Sequence, residues 1–569
     1  MHVWSLSGPF CFDDLNIVLK AERYLAGAST DSSLFRFAPD TEAWQGLRRA
    51  GSYPWWSPAD GRADFFRPLA EAAFYLDMKL FGRRPWAHRL MSLAAFIAAL
   101  VLLHRLFLRM GVDPLRAGLA TMMFGVSQAA AQPATFISNR SDLFVLIGAC
   151  IAAHAFAPLI APSAARKPAR TGSAAAIAGL GFAAALLSKE IAVGWAGTII
   201  LFELWRRIRR DQTPQPRLLA GMLALTLALL VAYMAYYVST RAGAGSRTAL
   251  LAAAPRSSVF YLSLWMLGAP INLLTDRGLD TTVPLAAGCL ITLALIAPHV
   301  RRMLAAEPAA RFFLCWAVAF GAIALLTTPE ARALCLATPG WAYFLAHLLL
   351  PKESAASNGP RPPSLMLRHH LLFSNGGIGM AAAVGIVVVS MHAERQAQSH
   401  IQTRVASLTS PLRDGDTLIV PSPEIDLEWL AAGDRLQFLS GRRNVALHFL
   451  HAADARSRID RVDAHTLRVA LDQDATDRAW NERSWLYRYW MPRPSLLDAA
   501  LAARMLGGGW SPRIGARFDL PDFTVEITGV KENQITELSF RFARPLDDPS
   551  LHIVTSEPSR RNEAAKSVP

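Results

Sequence analysis

Residues 173–205 read SAAAIAGLGFAAALLSKEIAVGWAGTIILFELW. Two apolar runs flank Ser188–Lys189–Glu190, and the charged corner is too short to form a solvated loop. Apolar runs of this kind cross a bilayer as helices when they approach about 20 residues. A cation and an anion at the turn between two such helices need partners, because an unpaired charge there is costly. The stretch therefore predicts a transmembrane hairpin with a charged tip.

Similar runs recur on both sides. Spans are expected near 87–109, 114–132, 141–160, 173–187, 191–205, 218–239, 283–298, 312–327, 334–350 and 371–391. The run 258–275 is interrupted by Gly268 and Pro270 and is read as non-crossing. The basic linkers 161–172 (Arg166, Lys167, Arg170) and 206–217 (Arg206, Arg207, Arg209, Arg210, Arg217) then share one side with 299–311 and 351–370. Positive loops stay cytoplasmic. The SKE corner, residues 1–86 and everything after 392 fall on the outer side. Residues 1–12 are too short to cross and lack a signal-peptide pattern, so a first helix upstream of Met1 is expected.

Composition agrees with a membrane class. The 569 residues are 52% hydrophobic and only 18% charged, with mean hydropathy +0.25. A soluble protein carries about a quarter charged residues. Lys and Arg exceed Asp and Glu by 14, which in this class reflects anchoring charge, and nucleic acid is excluded as a partner. Cys11, Cys150, Cys289, Cys315 and Cys335 are too dispersed for a disulfide framework or a Cys-based zinc cluster. Beyond residue 392, β-prone runs at Thr417–Val420, Asn444–Leu450, Thr466–Leu471, Thr524–Val530 and Glu537–Ala543 alternate with Gly, Pro and Asp. A helical pattern is expected near 496–506. The fold class is thus a polytopic α-helical membrane bundle of about ten to eleven spans with a C-terminal soluble α+β domain. The expected division is a first outer loop at 1–86, a bundle at 87–391, a periplasmic domain at 392–555 and a disordered tail at 556–569.

Five short groups could carry chemistry, and each alone has a plainer reading. Asp13 and Asp14 could supply a base or hold a divalent cation, or simply start a helix. Arg67, ahead of Pro68 and the periodic Leu69, Ala73, Leu76 and Leu80, could grip a phosphate or snorkel to the interface. Arg140 and Asp142 could bind a ligand or pair locally. Lys189 and Glu190 must meet each other or a charged ligand. Glu330 and Arg332 flank a late span. His448 and His451 are read as residues of a packed strand rather than metal ligands.

Taken in order, FDD (12–14), FRPL (66–69), NRSDL (139–143), SKE (188–190) and PEAR (329–332) resemble the membrane portion of the GT-C superfamily of lipid-dependent glycosyltransferases. The nearest pattern is that of the transmembrane O-mannosyltransferases. The likeness spans about residues 10–390. Ser127–Gln128 and Gln132 stand where that family shows His-Pro and Glu, Asn139 stands for Gly, Ala333 and Cys335 stand for aromatics, and tetratricopeptide repeats are absent. The resemblance implies an inner-membrane enzyme of bacterial type that moves a sugar, mannose by family weight, from a polyprenyl-phosphate carrier to a protein or envelope glycan or lipid acceptor on the periplasmic side. It implies Asp13 or Asp14 as catalytic base, with a divalent metal (Mg or Mn) between them as an option. Arg67, Arg140, Lys189 and Arg332 would bind the donor phosphate, Asp142 and Glu190 would orient those cations, and membrane lipid would surround the bundle. Two alternatives stand beside it: a transferase of the same superfamily with another donor, such as aminoarabinose to lipid A, and a transporter or envelope-assembly scaffold. A transporter should show matched half-sequences with interrupted helices, and none is apparent.

Overall fold

The computed structural model describes residues 2–554 except 12, 56, 58–60, 62, 161–170, 212–214, 242–246, 270–278, 326–329, 352–361, 409, 422–430, 452–455, 473–511, 521 and 532–533. The linker cations Arg166, Lys167, Arg170, Lys352 and Arg361, the helix expected near 496–506 and the tail lie outside the described residues. The chain divides into two compact units. One holds residues 1–10, 20–37 and 63–391, and the other holds 11–19, 38–62 and 392–569.

In the first unit, prolines open many of the helices, where a missing N–H costs nothing. Helix α1 (Asp13–Leu25) begins in the second unit and ends in this one. Helix α2 (Thr41–Arg49) belongs to the second unit, with Asp40 capping the Ala43 N–H at 2.8 Å. Then follow α3 (Pro68–Phe81), α4 (Pro85–Arg109), α5 (Pro114–Gly125), α6 (Gln128–Thr135), α7 (Arg140–Ile160), α8 (Thr171–Leu186), α9 (Val193–Ile208), α10 (Pro216–Arg241) and α11 (Arg247–Leu267). Later helices run Leu279–Ala306, Pro308–Ala324, Thr338–Leu349, Leu365–Leu372 and Gly379–Ala406. Among the described residues, five helical stretches are long and apolar enough to cross a membrane: 85–109, 140–160, 216–237, 283–306 and 365–406. Shorter apolar helices cover 172–186, 257–267 and 308–324.

Three expected spans are built differently, and in one of them, 334–350, a 3-10 turn at Ala331–Leu334 leads into a helix of only 12 residues, Thr338–Leu349. Residues 114–132 do not form one helix. Ser127 is extended and its Oγ accepts the Ala130 N–H, so a second helix begins there, and Pro133 follows inside it. The expected span 371–391 starts earlier and runs on to Ala406, through a π-helical turn at Phe373–Ile378. Gly268, at φ +64°, lies against that turn, and a Cβ there would sit 1.9 Å from the Ser374 carbonyl oxygen.

Helix α7 occupies the middle of the first unit: 78% of its apolar stretch is buried within the protein, against 17% for 283–306. It packs on α8 through backbone. A Cβ on Gly148 would lie 2.5 Å from the Gly181 carbonyl oxygen, and one on Gly181 2.7 Å from that of Gly148. Small residues at such crossings let two helices approach closely where lipid supplies no hydrophobic drive.

In the second unit, β3 (Thr417–Val420), β4 (Ala446–Phe449) and β10 (Leu551–Ile553) make a parallel sheet in the order β10–β3–β4, with helix Ala432–Ser440 lying in sequence between β3 and β4. All four residues of β3 and of β4 are buried, as parallel strands covered on both faces should be. An antiparallel sheet follows in the order β5–β6–β9–β8–β7, with β5 Arg456–Arg461, β6 Thr466–Asp472, β7 Arg517–Asp519, β8 Phe523–Lys531 and β9 Gln534–Phe542. A two-stranded pair, β1 (Arg36–Ala38) with β2 (Ala63–Asp64), precedes α3. The strands expected from residue 417 onward all form, shifted by up to three residues at their ends. His448 and His451 lie buried on and just after β4, as packed residues. Arg435 and Glu394 form a fully buried pair at 2.7 and 2.8 Å.

The α7–α8 crossing yields a test. Gly181→Val forces a branched side chain into the Gly148 carbonyl, an overpacking expected to cost about 1–3 kcal/mol. Thermal unfolding in detergent should show a lowered Tm, with Gly172→Val, where a Cβ meets nothing within 4 Å, as the neutral control.

Candidate functional site

The SKE corner is built by the end of α8. Ser188 Oγ donates to the Ala184 carbonyl at 2.7 Å, Lys189 is extended, and Glu190 opens a single 3-10 turn before α9. The start of α3 is tied to the same corner, because the Leu69 N–H donates to the Leu187 carbonyl at 2.9 Å. That bond brings Arg67, the residue before Pro68, against Glu190. Arg67 Nε and Nη2 donate to the two carboxylate oxygens at 3.1 and 2.7 Å. Its guanidinium also lies 4.5 Å from the Phe65 ring centroid and 5.1 Å from that of Phe35.

Lys189 turns to α7 instead, with Nζ at 2.8 and 2.9 Å from the two oxygens of Asp142. Asp142 sits in the first turn of α7, where the helix dipole favours a negative charge, and within electrostatic reach of Arg67. Arg140 opens α7, only 1% exposed, with Nη1 at 2.6 Å from Asp77 Oδ2 and its guanidinium 4.8 Å from the Phe74 ring centroid. Arg332 Nη1 donates to Asn139 Oδ1 at 2.8 Å, and its Nε pairs with Glu330 at 2.6 Å. Thus Arg67, Arg140, Asp142, Lys189, Glu190 and Arg332, drawn from four distant segments, lie in one connected charge network of the first unit.

Electrostatics follow the pairing. Burial works against the charge of Arg67, but the carboxylate of Glu190 outweighs it and holds the guanidinium above its ordinary value. Burial likewise opposes ionisation of Glu190, and Arg67 overcomes it, holding the carboxyl below its usual range. Donors remain over. Arg140 Nε and Nη2, Asn139 Nδ2 and Ser141 Oγ are buried with no hydrogen-bond partner among the described residues. Each such group costs about 1–3 kcal/mol, more when charged. The arrangement can therefore accept a further anion beside Arg140.

Sequence reasoning missed Asp77, His88 and Asn139 as members of this network. Asp77 is 2% exposed and bridges Arg140 to His88, whose Nδ1 lies 3.6 Å away and whose Nε2 lies 2.8 Å from the Gly82 carbonyl. The available signal was a lone carboxylate in the otherwise apolar FYLDM run of α3, since a buried acid needs a cation.

Asp13 and Asp14 belong to the second unit. Asp14 is fully buried and Oδ2 accepts the Cys11 N–H at 3.1 Å, a reciprocal bond across the helix start. Asp13 is exposed. Near it, Tyr53 stacks on Trp44 at 4.5 Å, and burial, with Asp13 and Asp434, pushes its hydroxyl above the usual tyrosine range. Asn16 Nδ2 donates to Asp434 at 3.2 Å. Among the described residues no group of three or more His, Cys, Asp or Glu is placed to hold a metal ion.

The Arg67–Glu190 pair predicts an acid limb. Its contribution to stability is complete above the ordinary glutamate pKa, near about 4.3, and is lost as pH falls through the lower folded value. Glu190→Gln should flatten the fall in Tm between about pH 5 and 3, read by thermal unfolding across pH. An unchanged acid limb contradicts the pairing.

No family model and no curated protein matches the sequence. Among solved structures the chain is similar to the crystal structure of ArnT from Cupriavidus metallidurans bound to undecaprenyl phosphate, with 13% identity, 78% of this chain and 83% of that chain covered, and TM-score 0.40. It is likewise similar to the apo form of the same protein, at 15% identity, 76% and 85% coverage, and TM-score 0.38.

Proposed function

We propose that the chain is a membrane glycosyltransferase of the GT-C kind, which moves a sugar from a polyprenyl-phosphate carrier to an acceptor hydroxyl on the outer side of the membrane. The observation that carries the reading is Arg140, a buried guanidinium with two unspent donor nitrogens inside a lattice that also holds Arg67, Lys189 and Arg332. The ordered motifs from FDD to PEAR support the same class.

In this reaction the acceptor oxygen attacks the anomeric carbon as the bond from that carbon to the phosphate oxygen breaks. The electron pair leaves with the polyprenyl phosphate, which gains a negative charge, and the acceptor proton passes to a carboxylate. Preorganised donors aimed at the developing charge lower the barrier most in a water-poor site. Arg140 and Lys189 are assigned that task, with Arg67 and Arg332 beside them, and Asp77, Asp142 and Glu190 hold the cations in place. Asp13 is assigned the base, because its carboxylate is exposed whereas Asp14 is buried and engaged by Cys11. A single displacement inverts the anomeric centre. Mannose is the donor sugar favoured by the motif pattern, with a protein or envelope acceptor.

The outer placement is supported by the charge distribution along α9. Glu190 precedes it, and Arg206, Arg207, Arg209 and Arg210 sit at its far end, about 24 Å away at 1.5 Å per residue. Positive charge favours the cytoplasmic end, which supports the opposite end for the charge network.

Transfer from radiolabelled polyprenyl-phosphate sugars by the purified chain in vesicles is the test. Arg140→Gln should lower the rate about 10²–10³-fold while the carrier still partitions into the membrane. Asp13→Asn should abolish transfer and Asp14→Asn should weaken it through the helix start. Full transfer by both aspartate variants removes the carboxylate base, and no transfer from any polyprenyl-phosphate sugar by the parent chain sinks the assignment.

A further inference from the structure

Helix α9 and the helix Pro308–Ala324 run antiparallel, and residue size along α9 sets the gap between them. At its start a Cβ on Gly194 would lie 2.4 Å from the Phe320 ring, and one on Gly197 3.2 Å from Ala319 Cβ, so the facing side chains fill the space against α9. One turn later the residues are large. Leu201, Leu204, Trp205 and Ile208 line one wall, Leu314, Cys315 and Val318 the other, and a groove of about 330 Å³ opens between them. Beyond it Arg311 closes the wedge, ion-paired to Asp211, with Nε and Nη2 donating to the carbonyls of Leu304 and Ala305 at 2.7 and 3.1 Å. Leu204 is 54% exposed and Ile208 72%, so the groove is open on its flank.

Its mouth is strongly cationic. Residues 203–217 with Arg311 carry Arg206, Arg207, Arg209, Arg210, Arg217 and Arg311 against only Glu203 and Asp211. Both carboxylates are spent: Glu203 accepts from Arg206 and Arg207 at 2.7–2.9 Å, and Asp211 takes Arg311. Arg209 and Arg210 follow Ile208 directly, are exposed, and have no carboxylate partner among the described residues. An apolar slot in the hydrocarbon ending at unneutralised guanidinium groups matches an acyl chain ending at a phosphate.

We propose that this groove seats one acyl chain of an anionic glycerophospholipid, with its phosphate held by Arg207, Arg209 and Arg210. The site is separate from the Arg67–Lys189 network, at the other end of α9, and does not depend on the transferase reading. A second copy of the chain is a poorer occupant, because a two-fold contact there would set one arginine cluster against another. A zwitterionic lipid fills the slot but leaves the guanidinium charge uncompensated.

The test is native mass spectrometry of the full detergent-purified chain titrated with phosphatidylglycerol or with phosphatidylcholine of the same acyl chains. Phosphatidylglycerol should bind the parent about 30-fold more tightly, at about fivefold for each of the two arginines without a carboxylate partner, Arg209 and Arg210. Arg209→Gln with Arg210→Gln should bring it down to the phosphatidylcholine level, and Arg442→Gln, in the second unit, should change nothing. Val318→Trp, which fills the slot, should weaken both lipids, and Leu204→Phe serves the same end if Val318→Trp lowers Tm. Glycerol phosphate, which lacks a tail, should not bind. Equal binding of the two lipids, retention by both slot-filling variants, tight binding of glycerol phosphate, or a dimer mass that replaces the lipid adduct would each overturn the proposal.

Discussion

A charge at the edge of a hydrocarbon layer survives only with a partner, and the architecture of the first unit depends on meeting that condition. Two acids and two cations close the central part: Arg67 on Glu190, and Lys189 on Asp142. Because Lys189 and Glu190 are adjacent in the chain, these two pairs bind the start of α3, the α8–α9 corner and the first turn of α7 to one another. The Leu69–Leu187 backbone bond ties two of these segments, the start of α3 and the α8–α9 corner. Removing any member leaves an ion of the opposite sign without its partner, and Asp142, which depends on Lys189, is buried, so the network is a structural element.

The network is also incomplete in a directional way. Asp77 takes one nitrogen of Arg140 and packs beside His88, yet Nε and Nη2 of Arg140 have no hydrogen-bond partner among the described residues. A purely structural lattice gains by satisfying every buried donor. The surplus at Arg140 is the observation on which the proposed site rests, and it lies where aromatic rings from Phe74 and Phe144 flank the cation.

Packing elsewhere is governed by side-chain size. Glycine at 148 and 181 brings α7 and α8 into backbone contact, and glycine at 194 and 197 lets the Phe320 ring and the Ala319 methyl sit against the start of α9. Large residues at the other end of α9 reverse the effect and open a slot, next to which Arg209 and Arg210 have no carboxylate partner among the described residues. One helix thus has an ion-paired corner before its start and a cationic far end. The second unit obeys different rules, with fully buried parallel strands around β3 and an Arg435–Glu394 pair held at zero exposure.

Local pattern determined much of this protein. Apolar run length marked the membrane class, β-branched runs between Gly and Pro marked the strands beyond 417, and Lys189–Glu190 between two apolar helices announced buried ion pairs, since each of these signals is carried by neighbouring residues. The break at Ser127 was legible as well, in the capping serine and Pro133, but a 19-residue apolar count concealed it. Only the tertiary structure decided who pairs with whom. Lys189 meets Asp142 rather than its neighbour Glu190, Asp77 is a partner of Arg140, and Asn139 holds Arg332. These residues lie up to about two hundred positions apart, and Coulomb attraction at such separations depends on distance in space, which no local periodicity encodes.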